Sequence, residues 1–134
     1  MSQASDFLEN ALADHVTSKT AYTKPTNVFI ALCTAAVADN DTGTTITEAA
    51  YGGYARQSTA GADWNAAAAG LANNANVITF PEATSGSETE TDVAACDASS
   101  AGNLLWFDVL TTALPVVTGT QPKFNATDLS VAVA

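Results

Sequence analysis

The sequence predicts an all-β fold: a two-sheet antiparallel β-sandwich, jelly-roll or immunoglobulin-like in topology, preceded by a short N-terminal α-helix. Three observations carry this prediction. From Asn27 onward the apolar residues fall in short β-branched or aromatic runs separated by Gly, Pro, Asn, Asp and Ser. These runs recur roughly every ten residues with no helical periodicity between them, which favours antiparallel pairing over a parallel sheet. Helical spacing of apolar residues is confined to residues 2–17, where Phe7, Leu8, Ala11, Leu12, His15 and Val16 recur three and four apart.

The helix has a clear start and stop. Asp6 with Glu9 three residues on resembles a capping box, Ser5 is an alternative cap, and both acids suit the positive end of the helix dipole. Thr17, Ser18 and Thr20 are poor helix formers, and Lys24-Pro25 forbids continuation. This divides the chain into a helical arm over residues 1–24 and a β-sandwich over 25–134, within a single domain.

Val28 to Cys33 is a continuous apolar run suited to a strand covered on both faces. Tyr54 to Ser58 alternates, with Tyr54 and Arg56 on one side. Residues 65–70 contain four consecutive alanines, but the segment between Trp64 and Leu71 is too short for an independent helix. Val77 to Phe80 ends at Pro81, and Thr91 to Asp97 follows a Ser/Gly/Glu-rich loop. Leu104 to Leu110 is the strongest strand signal, and Gly102-Asn103 before it supplies a turn, which predicts a hairpin with residues 91–97. Val116-Val117, Phe124 and the alternating Leu129 to Val133 complete the set. The 19-residue connection from Ala35 to Gly53 exceeds usual loop lengths, so it is either functional or held against a neighbour.

Composition limits both core and partners. Apolar residues make up 47% of the 134, but 28 of them are Ala, so a few large side chains must build the core. Four Lys+Arg stand against 14 Asp+Glu, and a net charge of −10 disfavours nucleic acid and anionic membranes as partners. No apolar run approaches the roughly 20 residues of a membrane helix. The N-terminus lacks the basic and apolar regions of a signal peptide, so synthesis in a reducing compartment is expected, with Cys33 and Cys96 as buried thiols rather than a bridge.

Chemistry is sparse. His15 is the only histidine, and its place on the apolar side of the helix suits packing better than catalysis. No nucleophile elbow, Walker loop or dinucleotide fingerprint occurs. Asp39-Asn40-Asp41-Thr42-Gly43 superficially resembles a calcium loop, but the Gly falls one position early and Glu48 lies at position ten rather than twelve. Glu88, Glu90 and Asp92 are spaced by two, and a solvated polar strand face is the expected reading. The aromatics Trp64, Trp106, Phe29, Phe80 and Phe107 could line a sugar-binding groove, but each sits in a strand signal, where core packing is expected. No catalytic residue, metal ligand or cofactor is assigned.

Several segments, taken in order, resemble a family of small tailed-phage virion structural proteins often labelled phage tail fibre proteins. They are Asp14-His15-Val16, Thr20-Ala21-Tyr22, Pro25 to Ala35, Gly52 to Gln57, Val77 to Pro81, Gly102 to Trp106, Leu110-Thr111-Thr112 and Leu129-Ser130-Val131. Between Ser85 and Cys96 the chain departs from the family pattern, with smaller and more acidic side chains. The resemblance implies a non-enzymatic virion component, present in the host cytoplasm during assembly.

The chain has neither stalk repeats nor a distinct tip. A capsid decoration (cement) protein is therefore the expected role, in which a homotrimer binds the outer lattice of the major capsid protein and stabilises it. The alternatives are a tail, baseplate or tail-fibre component, or a host glycan-binding module. Phe7, Leu8, Leu12 and Val16 on the helix are the expected interface residues, packing on the sandwich or on a neighbouring subunit.

Overall fold

The computed structural model describes residues 2–133 and is mostly antiparallel β with one short N-terminal helix, as the sequence predicts. The elements are β1 (Gln3–Ala4), α1 (Asp6–Val16), β2 (Val28–Cys33), β3 (Gln57–Thr59), a 3-10 turn (Gly61–Asp63), β4 (Leu71–Asn73), β5 (Ile78–Thr79), β6 (Ser87–Cys96), β7 (Leu104–Val117), β8 (Lys123–Phe124) and β9 (Ser130–Ala132). Five of the strands form one sheet in the order β1-β7-β6-β2-β3, while β4-β9 and β5-β8 form two separate two-stranded ribbons. The second layer of the sandwich is thus divided between ribbons, and the sheets do not close into a barrel.

Strand alternation sorts the core into two clusters. Ile30, Leu32, Val93, Ala95 and Trp106 pack with Tyr51, Ile78, Phe80 and Leu129, the last three brought by the ribbons and their flanks. Ala31, Cys33, Ala94, Cys96, Leu104 and Phe107 pack instead with Val37 and Ile46. The long connection that contains Val37 and Ile46 therefore covers the opposite side of the sheet. This explains why β2 reads as an uninterrupted apolar run: its alternate residues are buried in different clusters.

The β6–β7 hairpin is the backbone of the fold. Its ladder runs from Ser87↔Val117 to Cys96↔Leu104, with irregularities between Glu90 and Asp92 and between Ala95 and Cys96. At the first, Glu90 faces Leu114 while Asp92 faces Val109, so β7 carries extra residues. Gly102 supplies the left-handed backbone (φ 76°) that the turn requires.

Boundaries differ from the sequence reading at residues 3–4, at 54–58 and in the hairpin, whose strands run over Ser87–Cys96 and Leu104–Val117 rather than 91–97 and 104–110. Residues 3–4 are strand rather than helix, because their backbone pairs with Phe107 and Trp106 at the edge of β7. Ser5 then caps the helix, its hydroxyl accepting from Leu8 N–H at 3.2 Å and donating to the Leu104 carbonyl. The strand read at 54–58 lies at 57–59, where Gln57, Ser58 and Thr59 pair with Ile30, Phe29 and Val28 of β2. Residues 65–70 form no helix, as the sequence reading expects: Ala68 and Leu71 exchange backbone hydrogen bonds across a turn.

Candidate interaction surface

Helix α1 places the four predicted interface residues on different sides. Leu8 is buried in the main core and Leu12 packs against it, so these two fasten the helix to the sheet. Phe7 is 39% exposed and Val16 77% exposed, so these two point outward. The chain then returns along the helix. Lys19 and Thr20 N–H groups donate to the Asp14 carbonyl, and Tyr22 N–H donates to His15 Nδ1 at 3.0 Å. His15 is solvent-exposed rather than on a packed face, and its ring orders the returning segment.

This return creates two shallow grooves that share Phe7 and Tyr22. One, about 450 Å³, continues past Lys24 and Pro25 to Phe29 and Asp97. The other, about 420 Å³, runs along Asn10, Ala11 and Asp14 of the helix. Burial, then the Asp97 carboxylate, raises the Tyr22 hydroxyl pKa above its ordinary value. The phenol therefore stays a neutral hydrogen-bonding group within an apolar wall.

The aromatics considered for sugar binding are mostly interior. Phe80, Trp106 and Phe107 are buried, while Phe29 and Trp64 are half-buried. Trp64 sits edge-on to Trp106 (ring centres 6.0 Å apart, planes at 90°), and its indole N–H donates to Thr59 Oγ1 at 3.0 Å. Val28, Ala72 and Val131 complete a depression of about 210 Å³ there. With the indole N–H already engaged, this surface offers apolar contact rather than a polar cradle for a sugar.

The acidic clusters have structural work. Asp41 Oδ2 accepts from Ala38 N–H and its Oδ1 from Thr45 Oγ1, so the calcium-like sequence folds on its own hydrogen bonds. Glu48 pairs with Arg56. Glu88 accepts from the N–H groups of Ala50 (2.9 Å) and Tyr51 (3.0 Å). The expected solvated face at 88–92 is corrected by burial: Glu90 is completely enclosed and Asp92 is 4% exposed, because the long connection and β2 cover this part of β6. Both cysteines are free and buried in the second core cluster.

Sequence reading also passed over two anchoring residues. Arg56 has a side chain 2% exposed, and it donates to the carbonyls of Gly43, Ala98 and Ala101 as well as to Glu48. Its being the chain's single arginine was the available signal. Asn74, fully buried, donates to the Asn76 and Asn125 carbonyls and accepts from Leu129 N–H, joining the two ribbons. It lies in an unremarkable Asn-Asn-Ala-Asn stretch and carried no local signal.

No curated protein matches the chain. Comparison with protein families matches one, described as Podophage GP4 fiber I protein gp80, over residues 3–132. The match supports the tail-fibre alternative and not the capsid-cement expectation, which rested on the absence of stalk repeats. Fibres can be assembled from several kinds of subunit, so one small module need not contain a stalk. Because the match takes in almost the whole described chain, the protein belongs to the podophage GP4 fiber I gp80 family and is a structural component of a phage tail fibre.

Proposed function

We propose that this chain is a non-enzymatic building block of the tail fibre, and that it meets its neighbours in the virion through the outward side of α1. The family match over residues 3–132 carries the first part. The second is supported by the division of labour within the helix: Leu8 and Leu12 hold it to the sheet, while Phe7, which lines both Tyr22 grooves, and Val16, near the helix C-terminus, stay in solvent. Association of three copies through this surface would multiply weak contacts into a stable assembly.

Fractionated virions test the reading. The protein should co-purify with detached tail fibres and be missing from tail-less capsids; recovery on capsids without tails would overturn it. Native mass spectrometry of the isolated protein should report a trimer, with Phe7→Ser and Val16→Ser shifting it toward monomer while leaving the circular dichroism spectrum unchanged.

A further inference from the structure

Glu90 is the strongest anomaly in the molecule. Among the described residues, its two carboxyl oxygens are the only buried side-chain N or O atoms without a hydrogen-bond partner. It lies in the middle of β6 opposite Leu114, and the adjoining β7 residues 110–113 bring no titratable group. On its own strand the neighbouring acids are Glu88 and Asp92. The 48–54 stretch of the chain contributes Glu48, Tyr51 and Tyr54, and β2 contributes Cys33. Arg56, the cation of this region, is already committed to Glu48 and three carbonyls.

A buried charge with no counter-charge is strongly unfavourable, and a second carboxylate nearby makes it worse. Glu88 is fixed as an acceptor by the Ala50 and Tyr51 N–H groups, so a proton shared between the two acids belongs on Glu90. A cation could relieve the same repulsion, but among the described residues no three His, Cys, Asp or Glu side chains converge to hold one. Burial first, and Glu88 second, push the Glu90 carboxyl up to about 8 from an ordinary 4.5.

We propose that Glu90 is held as a neutral acid and that the Glu88–Glu90 pair forms a proton-operated clasp between β6 and the 48–52 end of the long connection. When the clasp opens, Glu90 reaches water and gives its proton to solvent. Opening therefore releases a proton and is favoured as pH rises. The clasp is tightest below the ordinary carboxyl range, weakens between about pH 4.5 and 8, and changes no further above that.

Amide hydrogen exchange on the full chain tests this, with intrinsic exchange corrected for pH. Opening at Ala50 and Tyr51 should increase by about tenfold per pH unit from roughly pH 5 to 8, then level off. In Glu90→Gln, which keeps the shape of the neutral acid, the same amides should show no such slope. Carbon NMR of glutamate-labelled wild type should give a protonated carboxyl shift for Glu90 at pH 6.5. An ionised shift at that pH, a flat wild-type exchange profile, or an unchanged slope in Glu90→Gln would each overturn the proposal. If Glu90→Gln does not fold, the wild-type carboxyl shift decides the matter.

Discussion

The buried Arg56 guanidinium pairs with the partly exposed Glu48 carboxylate and spends its other N–H groups on the carbonyls of Gly43 (2.8 Å), Ala98 (2.8 Å) and Ala101 (2.9 Å). One side chain thereby ties the long connection to the tip of the β6–β7 hairpin. Gly43 permits this approach: a Cβ there would lie 1.9 Å from the Ala101 carbonyl oxygen.

Arg56→Met should cost about 3–5 kcal/mol, because it leaves Glu48 and three carbonyls without their donor. Arg56→Lys should recover only a part, since an ammonium cannot reproduce the planar fork. Urea denaturation of both variants checks this, with a lowered midpoint and an unchanged slope as the expected result.

Asn74→Ala should destabilise by at least about 2 kcal/mol, as it strips two donors and an acceptor from an enclosed site. Asn74→Asp should be no better, because the Asn76 and Asn125 carbonyls would then face a second acceptor. Thermal melts should show both shifts. Exchange in the variants should rise first at the Leu129 amide, which donates to this side chain.

Asp63 gives an acid-side dependence. Its carboxylate accepts from Ala60 N–H (2.8 Å) and Asn76 Nδ2 (2.9 Å), and these bonds, the Ala60 one foremost, lower its pKa below 3.8. A lowered folded-state pKa contributes stability above the unfolded value that is lost as pH falls through the folded one. Unfolding free energies measured between pH 5 and 2.5 should therefore fall less steeply in Asp63→Asn than in the wild type.

Cys33 and Cys96 should resist thiol reagents in the folded protein. Burial, reinforced by nearby acids, pushes the Cys33 thiol up to about 12. Burial also dominates at Cys96, which is pushed up to about 11. At pH 8 a disulfide reagent should label neither, and both should react once denaturant unfolds the chain. Rapid native labelling of either would contradict the enclosed second core cluster.

Much of the fold was legible because it rests on local signals. The β6–β7 hairpin is written in Gly102-Asn103 and the run after it, and β2 in its uninterrupted apolar residues. The helix stop is written in Thr17 to Pro25. What escaped depends on contacts across long stretches of sequence. β1 is recognisable only through Trp106 and Phe107, about a hundred residues later. Arg56 acquires its role from carbonyls more than forty residues away, and Glu90 is enclosed by a connection that composition describes only as polar. On the helix, periodicity marks the apolar residues but does not separate Leu8 and Leu12, which face the core, from Phe7 and Val16, which face water.

Strand β7 is fourteen residues long, but residues 110–113 fall outside the ladder, so its span follows the ten residues of β6, about 33 Å at about 3.3 Å per residue. Because β6 accompanies it for most of that length, tension applied along the strand axis loads many ladder bonds simultaneously. Tension across the axis peels them one after another. A module built around such a hairpin has a stiff direction and a weak one, and single-molecule pulling through differently placed handles should find rupture forces that depend on the angle of the pull.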